Sequence, residues 1–280
     1  MQNMTAYSMI NRSPVKAVLT EMKKPSGGVF MDVVLENVVD GVYTITLNRP
    51  EKKNAMSLEL LKRFAEAVGR AETEGARIVL IRGAGKTFCA GGDILEFRES
   101  AQIDVQIDCM ADYLHRGIQK IRQMSAIVVA VVEGLAFGAG LSLSLACDLT
   151  VAEKKALMNL AYRRIGLTPD GGGSFFLPRL VGAKKYNELY LTSRNIDMQE
   201  ARDLGLVNFV YGEEELEAKL AELIRDLKAL PTESLGLFKE LVNLSLFSGL
   251  GRHLDKERRY VTELGTSPEF KKRLDVILKR

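Results

Sequence analysis

At 280 residues, with 46% hydrophobic and 27% charged side chains, the chain is long enough to bury a sizeable core. No apolar run approaches the ~18 residues that a membrane helix requires, so the composition reads as globular with no membrane association. A net charge of +3, with both signs interspersed, argues against nucleic-acid binding as the main activity.

Residues 1–28 show no period and end in a Pro-Ser-Gly-Gly break, which predicts a mobile N-terminal extension. They lack a secretory core but are poor in acids and carry Arg12, Lys16, Lys23 and Lys24, so organellar import is the alternative to a cytoplasmic location. From Val29 the segments FMDVVLEN and VYTITLNRP flank Asp40-Gly41, the chemistry of a tight hairpin turn. SLELLKRFAEAVGRAETEG places Leu58, Leu61, Ala65 and Val68 on one helical face behind Ser57 as N-cap. RIVLIRG and AIVVAVVEG are continuous apolar runs of the kind found in strands buried on both faces. A polar helix, Ala101 to Met124, lies between them, and GAGLSLSLACD opens a helix on glycine.

Beyond Gly182 the pattern is mostly helical: AKKYNELYLTS, MQEARDLG, EEELEAKLAELIRDLKAL, TESLGLFKELVNLSLF and PEFKKRLDVILKR, with LVNFVY strand-like. Such helices must bury their apolar faces against the core or another subunit, so an oligomer is expected. The chain is α/β, divided as an extension (1–28), a core (29–185) and a C-terminal helical region (186–280). Cys89, Cys109 and Cys147 are scattered, odd in number and without a CxxC pair, which fits a reducing cytoplasm and neither a disulfide framework nor a metal site. Of the two histidines, His115 sits at helical spacing in ADYLHRGIQKI and reads as structural.

Three stretches carry chemistry. IRGAGKTFCAGGDILEF and VVEGLAFGAGLSLSLACD each run from an apolar strand into small residues whose backbone N–H groups a ligand can approach. Together they could aim two donors at one carbonyl oxygen, an oxyanion hole; alternatively the glycines only permit tight turns and close packing. Neither is a GxGxxG fingerprint, and no P-loop is present. The third stretch, GLTPDGGGSFFLPRLVG, sets Asp170 before three glycines and a helix-like run, where it is either an N-cap or a base.

LNRPEKKNAMS (47–57), FCAGGDILEF (88–97), VVEGLAFGAGLSLSLACD (131–148), IGLTPDGGGSFFLPRLVG (165–182) and ARDLGLVNFV (201–210) resemble, in order and spacing, the enoyl-CoA hydratase/isomerase or crotonase superfamily. The resemblance implies a spiral of β-β-α units, a trimer or dimer of trimers formed through the C-terminal helices, and an enzyme acting on an acyl-CoA thioester in fatty acid metabolism. Coenzyme A is then part of the substrate, and no separate cofactor or metal is expected. By motif, the oxyanion donors fall at Gly92 and Ala139, Ala139 standing where glycine is common. Ala90, Gly92, Asp93, Ile94, Gly138, Ser142 and Tyr162 fall along the bound substrate or its CoA. Asp93 reads equally as an N-cap to the helix it precedes.

Family hydratases activate water with two glutamates, which by motif position fall at Ser142 and Tyr162 here. An unperturbed tyrosine titrates near pH 10, so this pair is a poor substitute for two carboxylates. The remaining acid, Asp170, resembles that of the isomerases, which shift a C=C bond with a single acid/base; an apolar pocket to which Phe175, Phe176 or Leu141 contribute would favour its protonated form. Glu96 and Glu133 read as solvated or structural, and dehalogenation of an aryl-CoA, which in this superfamily relies on aromatic and histidine contacts, is disfavoured because the chain has no Trp. Isomerase is therefore the leading expectation. The alternatives are a hydratase with atypical residues and a non-catalytic acyl-CoA or RNA binder.

Overall fold

The computed structural model describes residues 32–279, so the expectations placed on residues 1–28 lie outside the described residues. Strands β1 (Val34–Val39) and β2 (Val42–Leu47) form the expected hairpin, with Asp40 and Gly41 both at positive φ, +53° and +76°. Helix α1 (Leu58–Thr73) follows, its first turn closed by Ser57 Oγ accepting from the Leu60 N–H at 3.2 Å. Its buried face is broader than the sequence stripe: Leu60, Phe64 and Ala67 go inward while Ala65 is only half-buried.

Strands β3 (Ile78–Gly83), β4 (Ile127–Val132), β6 (Leu149–Glu153) and β9 (Phe209–Tyr211) extend β1 and β2 into a six-stranded sheet of order β1-β2-β3-β4-β6-β9, parallel beyond the first pair. Between β3 and β4 the chain forms α2 (Ile94–Glu99) and the polar helix α3 (Ile103–Gln123). Val79, Ile81, Val128 and Ala130 face the main core with α1 and α3. Ile78, Leu80, Val129 and Val131 face Leu216 and Leu220 of α7 (Leu216–Ala229) on the other side. Burial on both faces is why these strands read as unbroken apolar runs.

A second, three-stranded sheet has the order β5-β7-β8, from β5 (Leu135–Phe137), β7 (Leu157–Asn159) and β8 (Ile196–Asp197). Two successive turns of chain share one plan: β4 in the large sheet, β5 in the small one, then α4 (Ala139–Ala146); next β6, β7, a 3-10 turn at Tyr162–Ile165, then α5 (Gly173–Thr192). This is the β-β-α spiral that the resemblance implies. Helix α5 bends at Gly182, where φ 75° and ψ 162° leave the helical region, and α6 (Met198–Asp203) leads into β9.

The chain ends in α8 (Thr232–Leu246), α9 (Leu250–Gly265) and α10 (Pro268–Leu278). Helix α9 is absent from the sequence reading because Arg252, His253, Asp255, Lys256, Arg258 and Arg259 crowd a narrow stripe of Leu250, Leu254 and Val261. It packs along α3, where the Arg258 guanidinium bridges Asp108 and Asp112. Helix α8 shows the reverse pattern. Lys239 alone is buried, its ammonium on Ala126 O and Asp148 at 2.8 Å each, whereas Leu237, Phe238, Leu241 and Leu244 stand exposed. No helix among the described residues is long and apolar enough to cross a membrane.

Candidate active site

The loop leaving β3 is stitched to β5. Cys89 N–H donates to Leu135 O at 2.8 Å, and Phe137 N–H returns to Cys89 O at 2.9 Å. Met56 N–H donates to Gly91 O at 2.8 Å and Asp93 N–H to Met56 O at 3.0 Å, which pins Gly92 from both sides. The Gly92 N–H itself bonds to no described residue. Ala139 opens α4, where the first N–H has no intrahelical partner, and it too bonds to no described residue. Glycine allows the two loops to meet. A Cβ on Gly91 (φ +100°) would lie 3.0 Å from Phe137 O and 3.8 Å from Ala139 N, and one on Gly140 would lie 2.5 Å from Cys89 O. Close packing and free donors are thus the same feature seen twice.

Gly92 and Ala139 line a common cavity of about 220 Å³. Ala90, Ile94, Gly138 and Tyr162 line it too, and α3 supplies one wall through Ile107, Met110 and Leu114. The structure supports one of the two readings of Asp93 and corrects two further expectations. Asp93 does not line the cavity: Oδ1 accepts from Leu95 and Glu96 N–H (3.1 and 3.3 Å) and Oδ2 pairs with Arg49 at 2.9 Å, so it acts as the cap of α2. Ser142 is fully buried behind the cavity, its hydroxyl 3.1 Å from the Tyr162 hydroxyl. Phe175, Phe176 and Leu141 belong to the core; the apolar lining comes instead from Phe97 of α2, Val261 of α9 and Ile277 of α10. The Tyr162 hydroxyl donates to Asp170 O at 2.8 Å, and burial together with the Asp170 charge pushes its pKa well above 10. Glu96 accepts from Leu58 N–H at 3.1 Å, and Glu133 pairs with Arg82 at 3.1 Å.

Among the described residues, Asp170 is the only carboxylate lining the cavity. It does not cap α5. Gly172 occupies that position, and its N–H and that of Ser174 are taken by Glu257 of α9, 2.7 Å to Oε2 and 3.0 Å to Oε1. The acid adjacent in sequence is thereby released from capping by one 85 residues beyond Gly172. Asp170 Oδ1 lies 2.6 Å from His115 Nε2 on α3, both groups buried, so His115 holds the candidate base and does not merely fill the core. Oδ2 accepts no hydrogen bond from the described residues.

Burial alone would lower the His115 pKa, but the Asp170 carboxylate outweighs it and leaves the imidazole raised above 6.5. Glu257, buried and facing Asp170, is pushed up to about 7. One donor atom from each of His115, Asp170 and Glu257 lies within 4.8 Å of the others. That spacing could hold a cation, yet both Glu257 oxygens are engaged by the α5 N-terminus and His115 Nε2 by Asp170 Oδ1, which suits a proton-carrying cluster better. The sequence signal for Glu257 was an acid within the Leu250–Leu254–Val261 stripe, on the apolar face of its helix.

Known proteins resemble this chain over most of its length. Residues 37–278 match the enoyl-CoA hydratase/isomerase family model. The 1,2-epoxyphenylacetyl-CoA isomerase of Escherichia coli (strain K12) is 31% identical over 254 residues, covering 89% of this chain and 96% of that protein. The 4-chlorobenzoyl coenzyme A dehalogenase-2 of Arthrobacter sp is 34% identical over 238 residues, covering 84% and 86%. Among solved structures, an enoyl-CoA hydratase from Mycobacterium avium subsp. paratuberculosis K-10 superposes with a TM-score of 0.81 at 30% identity, covering 89% of this chain and 100% of that one. With its spiral of β-β-α units, its paired free N–H groups and a family match across most of its length, the chain belongs to the enoyl-CoA hydratase/isomerase, or crotonase, superfamily.

Proposed function

We propose that the protein is an acyl-CoA double-bond isomerase in which Asp170 is the single acid/base. The observation that carries this reading is that, among the described residues, the only carboxylate in the cavity shares it with the N–H groups of Gly92 and Ala139, which bond to no described residue. A thioester oxygen accepting from both donors would acidify C2–H. Asp170 Oδ2 would then remove that proton from a 3-enoyl-CoA, with Oδ1 held by His115. The dienolate keeps its charge on the thioester oxygen in the donor pair, and Asp170 returns the proton at C4. Hydration is disfavoured because Ser142 lies outside the cavity and the Tyr162 hydroxyl is tied to Asp170 O.

His115 supports a second reading, since an imidazole against a carboxylate also suits nucleophilic chemistry. Asp170 Oδ2 would attack a ring carbon bearing chlorine, expel chloride, and be freed by water that His115 deprotonates. Incubation with 3-enoyl-, 2-enoyl- and 4-chlorobenzoyl-CoA in deuterated water separates these readings. Deuterium uptake without other mass change means isomerase, added water means hydratase, and chloride release means dehalogenase. The buried, unpaired thiols of Cys89, Cys109 and Cys147 favour a reducing cytoplasm, and the exposed apolar face of α8 favours an oligomer, for which the family resemblance implies a trimer or a dimer of trimers.

A further inference from the structure

We infer that Glu257, Ser174 and His253 form a proton relay connecting the buried Asp170–His115 pair to solvent by a route separate from the acyl cavity. The inference rests on Asp170 acting as an acid/base. His253 Nε2 lies 2.7 Å from Ser174 Oγ, and Ser174 Oγ lies 2.5 Å from Glu257 Oε1. Glu257 in turn lies within 4.8 Å of both His115 and Asp170, a gap that one water with two hydrogen bonds of about 2.8 Å can span. The His253 side chain is 36% exposed, whereas that of Glu257 is 4% exposed. None of the three relay residues lines the cavity. The chain of groups therefore runs from solvent to the acid/base while an acyl group fills the cavity.

Capping alone does not call for this arrangement, because any neutral oxygen would accept the Gly172 and Ser174 N–H groups without placing a second carboxylate beside Asp170. A carboxylate poised near 7 by burial and by Asp170 exchanges protons readily at neutral pH, as does an imidazole. The charged or titratable groups facing Glu257 are Asp170, His115, His253 with its Nε2 3.6 Å from Oε1, and, more distantly, Tyr162 and Tyr186. Around His253, burial and then the cations Arg179 and Lys256 lower the pKa, while the Phe175 ring packs against it at a steep angle. In the exchange step, the proton on Asp170 passes to Glu257, that on Glu257 to Ser174 Oγ as Ser174 gives its own to His253, and His253 releases one to solvent. The reverse sequence returns one solvent deuteron to Asp170, with no net charge moved.

The test is the ratio of solvent deuterium found at C4 to product formed when 3-enoyl-CoA is isomerised in deuterated water. The intact protein should place solvent label at C4. Ser174→Ala and His253→Phe should lower the label-to-turnover ratio roughly tenfold or more, whatever happens to kcat, and Ser174→Thr should restore it. An unchanged ratio in Ser174→Ala and His253→Phe overturns the relay while leaving the acid/base reading intact. So does an equal fall in Ser174→Thr, which would mark a packing effect, or an intact protein that isomerises without solvent label. If the intact protein neither isomerises nor exchanges C2–H, the acid/base reading fails and the relay with it.

Discussion

Gly140→Ala probes the donor pair without touching any group that carries a proton. The added methyl would sit 2.5 Å from Cys89 O and 2.8 Å from Cys89 Cβ. A carbon against a carbonyl oxygen needs about 3.3 Å, so α4 and the Cys89–Gly92 loop must separate by roughly 0.8 Å. The strain falls on the Phe137 N–H bond to Cys89 O, 2.9 Å long, which ties the loop to β5. Overpacking of this kind costs about 1–3 kcal/mol of stability. A misplacement near 1 Å costs on the order of 10²-fold in rate, and losing one donor outright about 10²–10³-fold. The assay is kcat/KM for 3-enoyl-CoA isomerisation together with thermal unfolding. Gly69→Ala in α1 is the control, because its Cβ meets only the flexible Lys120 side chain at 3.6 Å. Alanine should favour the α1 helix there by up to about 1 kcal/mol with activity intact. Full kcat/KM in a folded Gly140→Ala protein would refute the claim that the loop contact sets the donors.

Two further predictions concern stability and assembly. Because Glu257 is raised from 4.5 to about 7, the folded protein holds its proton more tightly than the unfolded chain; its contribution is full below 4.5 and is lost as pH rises through about 7. His115, also raised, acts in the same direction at and above 6.5, whereas lowered carboxylates such as Glu36 and Glu200 act below 4.5. The fall in Tm between pH 5 and 7.5 should therefore be shallower in Glu257→Gln, and an identical slope would contradict the assignment. On α8, Leu241 and Leu244 are 66% and 71% exposed, and burying each against another subunit is worth about 1.5–3 kcal/mol. Replacing both with Glu should turn the assembly into monomers by sedimentation velocity; a monomeric parent protein would sink this reading.

The parts of the fold that were legible in the sequence are those specified by neighbours in the chain. Asp40-Gly41, the Ser57 cap and the unbroken apolar strands β3 and β4 depend on local backbone chemistry or on burial of a whole element. The small residues at Ala90–Gly92 and Gly138–Gly140 were legible for the same reason. What was hidden depends on partners distant in the chain. Asp170 stood in a capping position, yet Glu257 from α9 took the N–H groups of α5 and left Asp170 to His115. The pocket's apolar lining was misassigned to Phe175 and Phe176 because much of it is assembled from α2, α3, α9 and α10, which are distant from Asp170 in sequence, and its near contributors, Ile165 and Leu167, precede Asp170 where the two phenylalanines follow it. For Asp93, periodicity could not show that Arg49, 44 residues earlier, would take up its second oxygen.

The most direct test of Asp170 as the acid/base is C2 proton exchange on a bound 3-enoyl-CoA in deuterated water, compared between the parent protein and Asp170→Asn. Asparagine keeps the size and can still accept from His115 Nε2 through its carbonyl oxygen, so substrate binding should persist. Exchange and isomerisation should both fall by about 10²–10⁴-fold. Exchange at the parent rate in Asp170→Asn, with the thioester still bound, would contradict the account.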